Sequence, residues 1–274
     1  MSNTIPHNAN LKYINRQLDL HQTQASKRME QIASGQRLNR VGDDPTSLDT
    51  ANHLSAEFRA VAQGNRNAQQ GVHLLQLADG ALAQISTIVQ RMRSMAVSGA
   101  SGLLPKEGQQ TLATEFATLK NEGDRIARFT TFNQTPLLDR DQTLTIQLGP
   151  NGADATAVSL RDARPSGDYL NLAGLSLATP QDAVDALNIL EAAEDRLNNL
   201  RGTIGALQNR VSRYAETSAT AMGHLLDTQS QIADVDLAQS VTQMTSAQIL
   251  SQASGSIFVG AQGDVDSIIA LLNN

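Results

Sequence analysis

The feature that most constrains this chain is an apolar repeat running from about Asp43 to Gly99. Leu54, Phe58, Val61, Ala68, Val72, Leu75, Ala78, Leu82, Ile85, Val89, Met92 and Ala96 recur at steps of four and three, with Asn65 in the one polar slot. This spacing lays them along one seam of a continuous helix. Two three-residue steps meet at Leu75, a stammer that overwinds a supercoil locally. Such a helix is about 80 Å long at ~1.5 Å rise per residue and needs a partner of similar length. The chain supplies one near its other end, where Leu187, Leu190, Leu197, Leu200, Ile204, Leu207, Val211, Tyr214, Ala221 and Leu225 repeat the spacing. The expected fold is mainly α, a long antiparallel coiled-coil-like helical rod made from both chain ends, with one small β-hairpin region.

Composition agrees with burial along thin seams. Aromatic residues are 3% of the 274 positions and Trp is absent, so Leu, Ile, Val and Ala replace the large rings that dominate ordinary cores. The net charge is −6 with no basic run. A nucleic-acid groove needs clustered Lys or Arg, so that class is set aside. Without Cys there is no disulfide, thiolate zinc site or cysteine nucleophile. No run approaches the ~18 apolar residues of a membrane span, and no membrane insertion is expected. The polar start lacks the apolar core of a cleaved signal peptide, so export would use a route without signal cleavage.

Taken in order, residues 1–10, with Pro6 and several Asn, are expected to be irregular. An amphipathic stripe begins at Leu11 and continues through Ile14, Leu18, Ala25, Met29 and Ile32 to a break at Gly35. Asp43, Asp44 and Pro45 form a helix start, an Asp N-cap followed by Pro in the first turn. After the Gly- and Pro-marked segment 98–108, a helix is expected over 107–129. Leu144, Ile146 and Leu148 alternate with polar residues as a strand does, and 155–160 returns as its partner across a Pro-Asn-Gly turn. Residues 161–178 read as loop. Thr179, Pro180 and Asp182 open the second long helix. A further helix begins near Asp236, interrupted by Gly260 and Gly263 before a short last helix over 264–272. The pattern divides the chain into three segments: residues 1–42 with 233–274 as the two amphipathic ends, 43–138 with 179–232 as a helical rod, and 139–178 as a short hairpin and loop insertion.

Nothing in this pattern carries catalysis. His7, His21, His53, His73 and His224 show no helical zinc spacing, the acidic pairs at 43–44 and 234–236 read as helix caps, and no phosphate loop or nucleophile elbow occurs. No metal and no cofactor is expected. Amphipathic ends without an internal core to cover leave two readings, a soluble coiled-coil adaptor and a subunit of a helical polymer whose interfaces do not close.

Several stretches resemble bacterial flagellin segments. They are QIASGQRLNRVGDD at 31–44, RNAQQGVHLLQLADGAL at 66–82, VQRMRSMAV at 89–97, FNQTPLL at 132–138, GALQNR at 205–210 and QIADVDLAQSVTQMTSAQILSQA at 231–253. Their order covers nearly all of the chain outside 139–180. The resemblance implies a secreted, extracellular structural subunit that polymerises into the flagellar filament for motility, not an enzyme, with residues 1–42 and 233–274 as a discontinuous inner core domain, 43–138 and 179–232 as a surrounding helical-rod domain, and a short variable region. Asp43-Asp44-Pro45 also looks like the related hook-filament junction proteins, the alternative within this group.

The resemblance further implies termini that order on polymerisation, passage through a type III export channel, and four kinds of partner besides copies of itself. These are an export chaperone on the carboxyl-terminal helix, a filament cap, hook-associated junction proteins and a host Toll-like receptor. Leu11, Ile14, Leu18, Met244, Leu250 and Leu271 are expected to make the inner filament contacts. Leu54, Phe58, Val72, Leu82 and Ile85 should close on Leu187, Leu197, Leu207 and Leu225 within each copy. The receptor patch of the family maps onto Arg91, Met95 and Glu115, with Met95 where many recognised flagellins have Leu.

Overall fold

Asp44, Thr179 and Asp236 set where three long helices begin. Asp44 accepts the Ser47 N–H at 3.1 Å, Asp236 accepts the Gln239 N–H at 3.0 Å, and Thr179 and Asp182 cap each other reciprocally at 3.1 and 3.0 Å. Each bond satisfies a donor that the first helical turn would otherwise leave open. The computed structural model describes the backbone of residues 5–272 and the side chains of residues 11–260 and 262. Its elements are α1 (Ile5–Ser34), α2 (Pro45–Ala100), α3 (Lys106–Phe129), β1 (Thr131–Phe132), β2 (Thr135–Pro136), β3 (Gln142–Gln147), β4 (Ala155–Leu160), α4 (Pro180–Ala233) and α5 (Leu237–Leu272). The fold is mainly α, with helices from both chain ends packed together.

Two compact units divide the chain, Met1–Ala56 with His224–Asn274, and Glu57–Gly223. The division falls within α2 and α4.

In the unit 57–223, α2 and α4 run antiparallel. Asn65 meets Ser218, Asp79 meets Arg201 and Arg93 meets Glu194. Between these polar ties lie Leu75, Leu82, Ile85, Leu197, Ile204 and Val211, all fully buried. Each contributes on the order of 2 kcal/mol by leaving water. An 18-residue window of α2 reaches a mean hydropathy of 1.2 and is 44% buried, and its apolar residues belong to this core. Phe116 brings α3 onto the same core.

The β3–β4 hairpin, paired from Gln142↔Leu160 to Gln147↔Ala155, lies against one face of α2. A Cβ on Gly64 would stand 1.6 Å from the Leu148 carbonyl oxygen, and one on Gly71 would stand 2.6 Å from Ile146 Cδ1. Asn67, between them, donates to the Gln147 carbonyl at 2.9 Å.

In the other unit, α1 and α5 pack side by side and run antiparallel. At one end the Val235 N–H donates to the Gly35 carbonyl at 3.1 Å and the Arg37 N–H to the Ala233 carbonyl at 2.7 Å. Further along, Leu18 Cδ1 stands 3.9 Å from where a Cβ on Gly255 would lie. Gly35, at φ +71°, ends α1 in the left-handed conformation that glycine adopts without strain.

Three local expectations are corrected. Residues 5–10, expected to be irregular, belong to α1, since a Pro at position 6 is tolerated in a first turn, where its missing N–H costs nothing; residues 1–4 lie outside the described residues. Helix α5 continues through Gly260 and Gly263 to Leu272; a helical Gly costs only ~1 kcal/mol relative to Ala. A second, two-residue hairpin, β1–β2, forms within FNQTPLL, with Asn133 and Gln134 both at positive φ, the conformation a two-residue turn requires. The segment 161–178 is irregular as expected and also buries Leu170, Leu172 and Leu177 completely, so part of the core comes from irregular chain.

Candidate assembly surface

The α1–α5 pair carries the largest apolar exposure of its unit. On the facing sides, Leu11, Ile14, Leu18 and Met244 are half-buried. Outside lie Tyr13, Leu20 and Met29 on α1, and Leu237, Val241, Ile249, Leu250, Ile257 and Val259 on α5, all exposed. Leu250 is 49% exposed and Val259 68%. Nine exposed large apolar side chains thus lie on two adjacent helices. The side chain of Leu271 lies outside the described residues. Reading one stripe from Leu11 was therefore incomplete, because a second set, beginning at Tyr13 and Leu20, points away from α5. The signal was present in the sequence: α5 is apolar over more positions than one packed stripe can use.

Two grooves border this pair. One, of about 470 Å³, runs between α1 and α5 and is lined by Gln24, Lys27, Arg28, Ser246, Ala247 and Leu250 among others. The other, of about 520 Å³, separates α1 from the loop 35–44. Here Asp43 bridges to Lys27 at 2.6 Å and accepts the backbone N–H groups of Asn39 and Arg40. The Lys27 ammonium holds the Asp43 carboxyl below its ordinary value; burial opposes it, and the Arg40 and Asn39 N–H groups add to the lowering. Asp44 is likewise lowered, by the Ser47 hydroxyl and N–H. The two aspartates thus divide the work, Asp43 clasping the loop and Asp44 capping α2.

Of the intramolecular seam, Leu82, Ile85 and Leu197 are fully buried, and Val72, Leu187 and Leu207 pack partly buried against the same core. Phe58 is half-buried in the unit 57–223, and Leu54 and Leu225 are half-buried in the other. Ser218, buried opposite Asn65, fills the slot between Tyr214 and Ala221 that the apolar repeat skips. Of the three residues onto which the resemblance maps a receptor patch, Arg91 is exposed and paired with Glu115, whereas Met95 is 7% exposed and belongs to the core.

Among the described residues no cluster of three or more His, Asp or Glu side chains is arranged to hold a metal ion.

Residues 5–143 match the bacterial flagellin N-terminal helical region and residues 187–272 match the bacterial flagellin C-terminal helical region. The chain belongs to the flagellin family. It is 31% identical to a flagellin of Halalkalibacterium halodurans over 98% of this chain and 99% of that one. It is 30% identical to the flagellar filament 30.7 kDa core protein of Treponema maltophilum, with the same coverage of each. A solved flagellar hook-associated protein from Vibrio parahaemolyticus shares the fold, with a TM-score of 0.58 and 14% identity over 70% of this chain and all of that one. That level of identity speaks for fold alone, so the hook-associated alternative gains nothing from it. As a flagellin, the chain is a structural subunit of the flagellar filament and not an enzyme. It polymerises with its own copies into a filament outside the cell.

Proposed function

We propose that filament growth is driven by burial of the outward apolar set on the α1–α5 pair, with Leu11, Ile14, Leu18 and Met244 building the pair that presents it. The carrying observation is the exposure of Tyr13, Leu20, Val241, Ile249, Leu250 and Ile257 on two adjacent helices. Association scales with apolar area removed from water, and a head-to-tail contact that does not close yields a helical polymer. In this reading residues 1–42 with 233–274, including Leu271, form the inner part of the filament, and the remaining helices surround it.

Seeded elongation followed by electron microscopy tests it. Leu250→Asp and Ile249→Asp should stop growth from filament seeds while the unit 57–223 unfolds at its usual temperature. Leu18→Asp should do the same by separating α1 from α5. Normal filaments from all three variants would overturn the assignment.

The finer partners belong to the same proposal. An export chaperone would shield the apolar face of α5 before passage through a type III channel, and cap and hook-associated proteins would meet that face at the filament's two ends. A host Toll-like receptor would contact the exposed Arg91–Glu115 pair, with Met95 supporting it from beneath.

A further inference from the structure

We propose that Asn151 is a site of selective spontaneous deamidation, with the peptide nitrogen of Gly152 as nucleophile and water as the second reactant. Asn151-Gly152 is the only Asn-Gly pair in the chain and lies exposed in the turn between β3 and β4. The turn holds the main chain of Asn151 at both ends. Its N–H donates to Asp154 Oδ2 at 3.0 Å, and its carbonyl accepts the Asp154 N–H at 3.0 Å and Gln147 Nε2 at 2.6 Å. Neither the Asn151 side-chain amide nor the Gly152 N–H has a hydrogen-bond partner among the described residues. A Cβ at Gly152 would meet nothing within 4 Å, so a five-membered ring has room to close.

The other asparagines of the described chain lack this combination. The N–H after Asn39 is held by Asp43 at 3.2 Å, and the N–H after Asn171 by the Pro165 carbonyl at 2.9 Å. Asn133 is followed by Gln134, whose side chain hinders attack at its nitrogen. In the helix interiors the following N–H is bonded to the preceding turn.

The Gly152 nitrogen bonds to Asn151 Cγ, the Cγ–N bond of the side chain breaks, and ammonia departs with the peptide proton. Water then opens the cyclic imide at either carbonyl, giving aspartate or isoaspartate, with no change of oxidation state. Either product places a new negative charge beside Asp154. Isoaspartate also routes the main chain through an additional methylene, in a hairpin whose Leu148 carbonyl is seated against Gly64.

The test is peptide mapping by mass spectrometry of the full chain, aged in mildly alkaline buffer at body temperature, beside Gly152→Ala. The open space and ordinary backbone at Gly152 allow that variant to fold, which thermal unfolding checks. The peptide containing residue 151 should gain one mass unit before those containing Asn39, Asn133 or Asn171. The alanine variant should slow this by roughly tenfold, equivalent to ~1.4 kcal/mol in the barrier. Modification of another asparagine first, no change at residue 151, or an unaltered rate in the alanine variant would overturn the proposal.

Discussion

Asn65 donates to Ser218 Oγ at 2.6 Å and to the Ala215 carbonyl at 2.7 Å, inside the otherwise apolar seam between α2 and α4. A polar pair in such a seam fixes which residues face each other, because any slip buries the amide without a partner. Asn65→Ala should therefore cost about 1–3 kcal/mol. The double variant Asn65→Leu with Ser218→Ala should recover most of that stability and lose register specificity. Urea unfolding measures the first effect, and the loss of sharp seam signals in NMR spectra the second.

Gly64 and Gly80 lie on the same helix and should respond oppositely to alanine. At Gly64 the new methyl would run into the Leu148 backbone, which cannot rotate aside, so the hairpin must lift. About 2–3 kcal/mol should be lost. At Gly80 nothing lies within 4 Å, and the gain in helix propensity should stabilise by roughly 0.5–1 kcal/mol. Thermal denaturation of the two variants checks the pair.

Gln134 adopts φ +65° at the second position of the β1–β2 turn, where glycine is unstrained. Gln134→Gly should raise stability by about 0.5 kcal/mol, the relief of left-handed strain being partly offset by the entropy of glycine. Equilibrium unfolding in urea would reveal it.

Acid should open the clasp between α1 and the loop 35–44. The folded Asp43 carboxyl is held below its ordinary value, so its contribution is fully present above the unfolded value near pH ~4. It is lost as pH falls through the lower folded value. Amide exchange at Asn39 and Arg40, corrected for the intrinsic pH dependence, should accelerate over that acid range. Asp43→Asn should show faster exchange at neutral pH and a flatter acid response.

The long elements were legible because their signals repeat. The four-three spacing from Leu54 to Ala96 marked α2, which runs Pro45–Ala100, and the capping residues at Asp44, Thr179 and Asp236 fixed helix starts that the structure reproduces. What escaped depends on contacts between distant segments. Gly64 and Gly71 sit a heptad apart in a helix, a cost that hints at close approach, yet only the fold shows that the β3–β4 hairpin fills the space. The FNQTPLL motif marked a turn, but Gln134, an unusual residue at positive φ, hid the strand pairing around it. Met95 looked like a surface residue by analogy, and burial by α3 and the rest of the core was not readable from its neighbours. For the assembly surface, periodicity gave the stripe that packs within the chain; the outward set at Ile249, Leu250 and Ile257 could be separated from it only once α1 had been placed on α5.

The bond from the Arg37 N–H to the Ala233 carbonyl joins residues separated by most of the chain. Loop closure over such a distance is entropically costly and favours local structure forming earlier. During synthesis the first helix therefore emerges long before its partner exists, and the hairpin and α3 have time to settle without it. The two ends become mates only after the ribosome has finished, which makes the closing of α1 on α5 the last event of folding and the most easily postponed.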